Sequence, residues 1–360
     1  MQRLLIIGCG DVARRALPRL LRRYRVYALV RTADAELRAM GVTQIVGDLD
    51  HPTSLKRIGG LADVLLHSAP PADGKDADDT RTRHLLSALK AGKILPRRIV
   101  YISTSGVYGN CGGAEIDETH GANPESKRAQ RRVTAETLLR EFGQQTRVTV
   151  SILRAPGIYA ADRLPLERIR RGDPVLDAAE DSYSNHIHAD DLAEAVVLAL
   201  TRGRANRAYN ASDDSRMKMG DWFTTLAENF DLPAPPRVSR NEAERALSPA
   251  ILSFMRESRQ LKNDRIKREL GLKLAYPTVQ DGIVAAKQAA EQTPAVAEAP
   301  AEAASPKPRK SKAAKPGTNK PKTAKSKPSA AKKKSAKKLK KPRREEIQLP
   351  LFFDLAPSPP

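Results

Sequence analysis

The sequence predicts an α/β fold in which a parallel sheet is doubly wound, with helices on both faces. From Leu4 to Leu153, short apolar runs alternate with longer runs of helical periodicity, which is typical of parallel sheets. A glycine-rich turn joins the first strand to the first helix, as in sheets that bind dinucleotides. Nearly all aromatic and β-branched residues precede residue 289, so we expect one folded domain over residues 1–288.

The first element is a strand over Leu4–Ile7, followed by the turn Gly8-Cys9-Gly10-Asp11-Val12-Ala13. Gly8 permits a sharp turn, Gly10 lets the backbone approach a pyrophosphate, and the small Ala13 lets the helix pack closely on the strand. A helix that begins in this turn presents N–H groups and a partial positive charge. The turn is therefore interpreted as a dinucleotide phosphate cradle, and an ordinary strand-to-helix turn is the alternative.

The next elements complete the alternating pattern. Apolar residues from Val12 to Leu21 have helical spacing, and Pro18 among them predicts a kink or a shorter helix. Further strand-like runs are Val26–Val30, Gln44–Val46, Val64–His67, Ile99–Ile102 and Val148–Leu153. Because ligands bind beyond the carboxyl ends of parallel strands, the residues that follow each run are candidate site residues.

Two of these positions concern the adenosine half of a dinucleotide. Arg31 follows the second strand, where a cofactor without a 2′-phosphate usually meets an acid. An Arg pairs with a 2′-phosphate, so the sequence favours NADP over NAD, with a solvated strand end as the alternative. Asp48 and Leu49 follow the third strand and are candidates to flank the adenine, and a simple turn acid is the other interpretation of Asp48.

Three later segments resemble those of a known family: Tyr101–Gly109 (YISTSGVYG), Leu153–Tyr159 (LRAPGIY) and Asn185–Ala193 (NHIHADDLA). With the glycine turn they resemble the extended short-chain dehydrogenase/reductases, the NAD-dependent epimerase/dehydratase group, over residues 1–286. The resemblance implies a Rossmann fold, an active-site hydroxyl at Thr104, and a nicotinamide that lies near Pro156 and Gly157.

One departure from the family pattern concerns the proton donor. Family members carry Y-x-x-x-K followed by Ala-Glu, and counting back from Ala135-Glu136 places Arg128 and Arg132 at the Tyr and Lys positions. An Arg keeps its proton at physiological pH and cannot act as a general acid. Tyr108 is the nearest phenol to the turn and is a candidate replacement acid, although such a Tyr is often structural.

The two arginines also have their own geometry. Four-residue spacing places Arg128 and Arg132 on one face of a helix that we expect to start at Asn123-Pro124. Such a pair suits a cofactor phosphate or a substrate carboxylate, and a solvated basic face is the alternative.

The remaining motifs of the body are interpreted as structural. His186 and His188 are two residues apart and predict no shared metal, and Asp190 and Asp191 are expected to cap a helix over Leu192–Leu200. Residues 160–185 and 213–277 are expected to form a smaller substrate lobe, with helical segments at Trp222–Phe230 and Ile251–Leu270. Cys9 and Cys111 predict neither a disulfide framework nor a metal site, and no apolar run is long enough to span a membrane.

The charge of the chain is concentrated near its end. Between Ser305 and Arg344 there are 18 Lys or Arg residues and no acid, and removing them from the net charge of +21 leaves +3. Residues 289–344 are predicted to be disordered. Ser305–Arg344 are predicted to bind nucleic-acid phosphates without reading sequence, unless the segment is a solubilising linker. In residues 345–360, Gln348–Phe352 resembles the Q-L-x-L-F peptides that dock on the bacterial sliding clamp, and a terminus packed on its own domain is the alternative.

Two functions follow from these features. The first is an NADP-dependent oxidoreductase or epimerase, cytoplasmic, that acts on a small polar or nucleotide-linked substrate. The second is a non-catalytic dinucleotide-binding sensor that the basic tail holds near nucleic acid, with a nucleoid location.

Overall fold

A central sheet of parallel strands organises the computed structural model, which describes residues 1–72, 74 and 76–292. The strands are β1 (Gln2–Ile7), β2 (Tyr24–Val30), β3 (Thr43–Val46), β4 (Val64–His67), β5 (Arg98–Thr104), β6 (Thr149–Ala155) and β7 (Arg207–Asn210). Their order across the sheet is β7-β6-β5-β4-β1-β2-β3, and every neighbouring pair is parallel. The predicted α/β fold class is confirmed, and the direction of winding reverses between β1 and β4, where such sheets bind ligands.

Helices connect the strands and cover both faces. They are α1 (Asp11–Leu20), α2 (Ala35–Ala39), α3 (Thr80–Lys90), α4 (Lys127–Thr146), α5 (Leu166–Arg170), α6 (Ala189–Arg202), α7 (Met219–Asn229), α8 (Arg240–Ala246), α9 (Pro249–Met255), α10 (Asp264–Leu270) and α11 (Val279–Gln292). Single 3₁₀ turns lie at Pro52–Leu55, Ser105–Tyr108 and Ala161–Arg163. α11 passes the predicted domain end at residue 288.

Two apolar layers result from the alternation of side chains along each strand. In β1, Leu4 and Ile6 pack in the layer with α1 and α6, whereas Leu5 and Ile7 pack in the layer with α3 and α4. All four are at most 1% exposed. Truncating any of them to Ala would therefore cost about 2–5 kcal/mol of folding stability.

Several local predictions were wrong in informative ways. α4 begins at Lys127 with Ser126 as its N-cap, and not at Asn123-Pro124. α1 continues through Pro18 to Leu20, so Pro18 does not end the helix. β7 was missed because its sequence, Arg-Ala-Tyr-Asn, is short and half polar.

The start of α6 also differs from the expectation. His188 caps this helix, since its Nδ1 accepts the Asp190 amide at 3.2 Å. The Asp191 carboxylate accepts the amides of Ala275 and Tyr276 at 2.7 and 3.0 Å. Asp191 therefore anchors the segment before α11, and neither Asp190 nor Asp191 supplies the side-chain cap.

A separate apolar cluster lies in the region expected to form the substrate lobe. Its members include Trp222 and Phe223 of α7, each 1% exposed. Short strand pairs connect segments outside the central sheet: Val175–Leu176 with Arg237–Val238, Tyr183–Ser184 with Met217–Lys218, His186–His188 with Gly157–Tyr159, and Gln260–Leu261 with Glu115–Ile116. The predicted helical segment Ile251–Leu270 is divided, because Gln260–Leu261 is extended between α9 and α10.

Membrane spans and metal clusters are absent among the described residues. No helix there is both long and apolar enough to cross a membrane. No group of three or more His, Cys, Asp or Glu side chains is placed to hold a metal ion, and Cys9 and Cys111 are free thiols. The basic segment Ser305–Arg344 and the peptide Gln348–Phe352 lie outside the described residues.

Candidate active site

The glycine turn forms an open helix N-terminus at the carboxyl end of β1. Gly8 has a φ of +86°, and Gly10 is the N-cap of α1 with an extended backbone. Within the described residues no side chain caps this helix, so the amides of its first turn remain available to a ligand. Ala13 is 1% exposed and packs in the core, as expected from its small size. The residues present fit a pyrophosphate.

The loop after β4 holds this turn from one side. A Cβ built on Gly8 would lie 2.4 Å from the Ala69 nitrogen, so only glycine fits. The amides of Ser68 and Ala69 donate to the Ile7 carbonyl at 2.8 and 2.9 Å, and the Ser68 hydroxyl donates to the Gly8 carbonyl at 2.6 Å. Gly8 is thus required by a close approach of two loops as well as by the sharp turn.

The side chains of the turn have other partners. The Asp11 carboxylate pairs with Arg15 at 2.7 Å and with Arg163 at 2.6 Å, so it faces cations of the protein. Val12 is partly buried against the core. The backbone of Asp11 and Val12, more than their side chains, is what this turn offers a phosphate.

Arg31 lies exposed just beyond β2, as its candidate role requires. Its charge reaches the neighbouring Asp50, whose pKa is lowered mainly by a hydrogen bond from Arg81 and to a lesser degree by Arg31. Arg14, which was not predicted as a site residue, pairs through its guanidinium with Asp34 and, at 2.6 Å, with Glu36. Arg14 lies one helical turn after Gly10, and this spacing could have identified it as a neighbour of the glycine turn.

Asp48 and Leu49 are held within their own turn. The Asp48 carboxylate accepts the Asp50 amide at 2.9 Å and lies 3.3 Å from His51 Nδ1. Leu49 is 7% exposed, and its carbonyl accepts a hydrogen bond from His84 Nδ1 at 2.6 Å. The structure therefore gives Asp48 a turn-forming role and places Leu49 in the core.

Thr104 ends β5 and keeps a proton to donate. Its Oγ1 accepts the Gly106 amide at 3.2 Å, which fixes the oxygen and leaves the O–H for another acceptor. The turn after it is held tightly, because Gly109 has a φ of +66° and a Cβ there would lie 2.1 Å from the Asn123 carbonyl oxygen. The hydroxyl thus stands at the carboxyl edge of the sheet, half-buried, on a rigid support.

Tyr108 does not have the surroundings expected of a replacement acid. The residue is fully buried, and its hydroxyl donates to Asn210 Oδ1 at 2.7 Å. The Arg154 guanidinium carbon lies 4.7 Å from the ring centroid. Burial raises the pKa of this phenol, which makes proton loss harder. These contacts give Tyr108 a structural role in place of the acid role.

Arg128 and Arg132 share a helix face, but their guanidinium groups have different partners. Arg132 is 7% exposed and donates from Nη1 to the Tyr101 hydroxyl at 3.0 Å and to the Ile102 carbonyl at 2.9 Å. The Arg128 guanidinium carbon lies 4.2 Å from the ring centroid of Phe254 in α9. The expected side-by-side anion fork is therefore not formed, because Arg132 is used within the core.

The resemblance implied that Arg128 stands at the position of the family Tyr, and its electrostatic surroundings can be described. Arg128 is exposed by its accessible surface, but surrounding protein atoms partly desolvate its guanidinium and lower its pKa; Glu257 opposes that shift, and nearby arginines add to it. One of those arginines, Arg259, donates to the Gly109 carbonyl at 2.6 Å and pairs with Glu257 at 2.8 Å. An Arg keeps its charge under such conditions, so Arg128 can donate hydrogen bonds but cannot transfer a proton.

A buried carboxylate that the sequence analysis missed connects the strands of the site. Glu136 in α4 is 4% exposed, accepts the Ser103 hydroxyl at 2.6 Å and pairs with Arg154 at 2.7 Å. Ser103 directly precedes Thr104, and Arg154 lies two residues before Pro156. Glu136 therefore fixes the ends of β5 and β6 relative to each other. Pro156 and Gly157 beyond β6 are buried.

The model of the NAD dependent epimerase/dehydratase family matches residues 4–212, more than half of the chain. The chain belongs to this family. Its homologues include extended short-chain dehydrogenase/reductases, as the resemblance implied.

Individual relatives extend the comparison beyond residue 212. A 4-hydroxy-2-methyl-3-oxo-4-farnesyl-3,4-dihydroquinoline-1-oxide ketoreductase of Stigmatella aurantiaca is 28% identical over 78% of this chain and 94% of its own length. A conserved protein of unknown function from Silicibacter pomeroyi is 29% identical, with a TM-score of 0.68 over 81% of this chain and all of its own. A dTDP-glucose 4,6-dehydratase double mutant from Streptomyces venezuelae, solved with NAD bound, is 19% identical, with a TM-score of 0.64 over 81% of this chain and 97% of its own, and shows the fold alone.

Proposed function

We propose that this family member is an NADP-dependent oxidoreductase that reduces a carbonyl group of a small polar or nucleotide-linked substrate. The uncapped N-terminus of α1 at the end of β1 carries the proposal, because it offers backbone donors at the place where a pyrophosphate binds. The Stigmatella relative, whose printed name is that of a ketoreductase, supports the reaction type.

The proposed cofactor contacts divide between backbone and side chain. The turn Gly8–Ala13 would hold the pyrophosphate through its amides, and Arg31 would pair with the 2′-phosphate. Pro156 and Gly157 would border the nicotinamide, which supplies a hydride when it is bound in its reduced form. NADP is preferred to NAD because no acid follows β2 directly and Arg31 is exposed there.

The proposed chemistry at the carbonyl uses two hydrogen-bond donors. The free proton of the Thr104 hydroxyl would bond to the carbonyl oxygen, and Arg128 would stabilise negative charge on that oxygen. Since neither group is an acid at neutral pH, water would supply the proton of the product alcohol. Such a site orients and polarises the carbonyl without the usual Tyr.

Thermal unfolding with each of the four nicotinamide cofactors tests the proposed cofactor binding. A ligand at a hundred times its dissociation constant stabilises a protein by about 2.7 kcal/mol, so NADPH should raise the melting temperature more than NADH. Arg31→Gln should abolish that preference, and Arg38→Gln, an exposed arginine in α2, should keep it. No shift with any of the four cofactors would rule out a dinucleotide site.

Cofactor oxidation measured with a panel of ketones tests the proposed role of Thr104 in carbonyl reduction. Thr104→Val should lower kcat by about 10²–10³-fold, the usual cost of losing one such donor. Thr104→Ser keeps the hydroxyl and should retain most of the activity. If both variants turn over like the parent, Thr104 is not the donor.

A non-catalytic dinucleotide sensor is the second candidate function. Arg132 favours it, because its guanidinium is bonded to Tyr101 and Ile102 and does not replace the family Lys. In that case the cofactor should raise the melting temperature while no ketone causes cofactor oxidation.

We also propose that residues 305–344 bind nucleic-acid phosphates and that Gln348–Phe352 docks on a sliding clamp. A protein that neutralises 6–10 phosphates loses about 10³–10⁵-fold in affinity between 50 and 200 mM salt, so the affinity of the intact chain for a random duplex should show that salt dependence.

A synthetic peptide of residues 345–360 should bind purified clamp with a dissociation constant of about 1 μM to 1 mM. Absence of peptide binding well above that range would exclude the clamp interaction.

A further inference from the structure

A second cleft lies at the amino ends of the central strands, at the edge of the sheet opposite the glycine turn. Its volume is about 430 Å³, within the range of about 300–1,000 Å³ that is usual for small-molecule sites. It is lined by Gln2, Arg23, Tyr24, Arg97, Arg98, Thr149, Leu200 and Thr201. We call these residues the amino-edge cleft.

The backbone that carries the arginines of this cleft is fixed by the sheet. The Arg97 amide donates to the Asp63 carbonyl at 2.9 Å, and the Thr149 amide donates to the Arg97 carbonyl at 3.0 Å. Arg98 is the first residue of β5. Arg23 lies in the turn between α1 and β2, where its amide donates to the Leu20 carbonyl at 3.0 Å. The three cationic side chains therefore start from rigid positions.

These arginines form no ion pair in the described part of the chain, although the pKa of the nearby Asp63 is lowered by Arg3 and, to a lesser degree, by the charge of Arg97. Across the described residues, no carboxylate lies within ion-pair distance of Arg23, Arg97 or Arg98, and none lines the cleft. Arg97 donates instead to Gln2 Oε1, and Arg98 donates to the Gly203 carbonyl. The nearby Asp63 carboxylate is already bonded to the Arg3 amide at 2.7 Å.

Helix ends do not supply enough negative charge to balance the cleft. The C-terminal ends of α1 and α6 lie at this edge, and each is equivalent to about half a negative charge. Together they oppose about one of the three positive charges, which leaves an excess of about two. Burial, and then the charge of Arg97, lower the pKa of Arg98, as expected where a guanidinium lacks a counter-ion.

We propose that the amino-edge cleft binds the phosphate or pyrophosphate group of a small molecule. Planar guanidinium groups form paired hydrogen bonds with phosphate oxygens, and three of them suit an anion of two or three charges. The site is separate from the dinucleotide turn, because its residues belong to the opposite ends of the strands. The proposal therefore does not depend on the proposed function.

Calorimetric titration of the intact chain with inorganic pyrophosphate tests this site. The double variant Arg23→Gln with Arg97→Gln should weaken binding by at least about tenfold. Arg25→Gln with Arg38→Gln is the matched control, since it removes the same charge from two exposed arginines outside the cleft. This control should change the dissociation constant by less than about twofold.

Gln2→Glu is a second variant that retains every arginine. It places a carboxylate against Arg97 with almost no change of shape, so it should weaken pyrophosphate binding and leave the fold intact. Equal dissociation constants for the parent and all three variants would overturn the proposal and place pyrophosphate elsewhere. A second outcome would also overturn the proposal, in favour of a nucleic-acid surface. In that outcome the binding of a duplex oligonucleotide depends on Arg23 and Arg97, and the binding of pyrophosphate does not.

Discussion

At the scale of single residues, the dinucleotide turn depends on Gly8, whose lack of a Cβ allows the β4 loop to approach. Gly8→Ala and Gly41→Ala both place a side chain at positive φ, which costs about 1–2 kcal/mol. A Cβ on Gly41 meets nothing within 4 Å, whereas one on Gly8 overlaps Ala69. Gly8→Ala should therefore lose about 1–3 kcal/mol more than Gly41→Ala. Urea unfolding of both variants measures the difference, and equal losses would contradict the close approach.

Tyr108 allows a test that separates a structural phenol from a catalytic one. Tyr108→Phe removes the bond to Asn210 and leaves a buried acceptor unpaired, so stability should fall by about 1–3 kcal/mol. Turnover of any ketone that the parent reduces should change by less than about twofold, since a general acid is worth about 10²–10⁴-fold. A loss of that larger size with the melting temperature unchanged would restore Tyr108 as the acid.

Single residues also show where sequence reasoning stops. The glycines of the turn could be identified because local backbone geometry favours glycine there. Thr104 was identified only through the resemblance of Tyr101–Gly109 to the family segment. The partners of Arg128 and Arg132 could not, because helical spacing gives the face of a helix and not the group that a long side chain reaches. Phe254, which lies on Arg128, is distant in sequence and has no motif.

At the scale of secondary structure, α4 holds the active-site strands through Glu136. Glu136→Gln leaves the Arg154 charge buried without its carboxylate, so the free energy of unfolding should fall by about 3–5 kcal/mol. Glu141→Gln, at an exposed position of the same helix, should change it by less than about 0.5 kcal/mol. Chemical denaturation measures both, and similar values for the two variants would show that the Glu136 pair does not stabilise the fold.

The strands and helices were predicted with unequal success for a physical reason. Apart from β3, whose sequence Thr-Gln-Ile-Val is half polar, β1 to β6 are largely apolar runs buried on two faces, and all six were identified within a few residues of their ends. β7 was missed because its pairing with β6 depends on a neighbour that is distant in the sequence. The caps of α4 and α6 were misplaced because Ser126 and His188 compete with other suitable residues nearby.

At the scale of the whole molecule, buried histidines make stability depend on pH. Burial lowers the pKa of His186 to about 3, far below the value of about 6.5 in an unfolded chain. The unfolded state therefore binds the proton first, and stability falls as the pH decreases from about 6.5 towards the folded value. The loss amounts to about 1.4 kcal/mol per pH unit for one histidine.

The ring centroids of His186 and Trp222 are 4.6 Å apart. His186→Phe should remove the pH-dependent contribution and keep an aromatic ring beside Trp222. The free energy of unfolding of the parent and the variant, measured between pH 7 and pH 4, should diverge by about 1.4 kcal/mol per pH unit as the solution becomes more acidic. Parallel curves would mean that His186 is protonated in the folded state.

The bonds between the β4 loop and Ile7 and Gly8 determine how a dinucleotide would dock. They are formed within the protein, so the amides of the turn are oriented before any ligand arrives. A preorganised receptor spends little conformational entropy on association, and its affinity for phosphate oxygens is not reduced by a folding step. Binding of a dinucleotide should consequently leave the amide-exchange rates of the loop after β4 nearly unchanged.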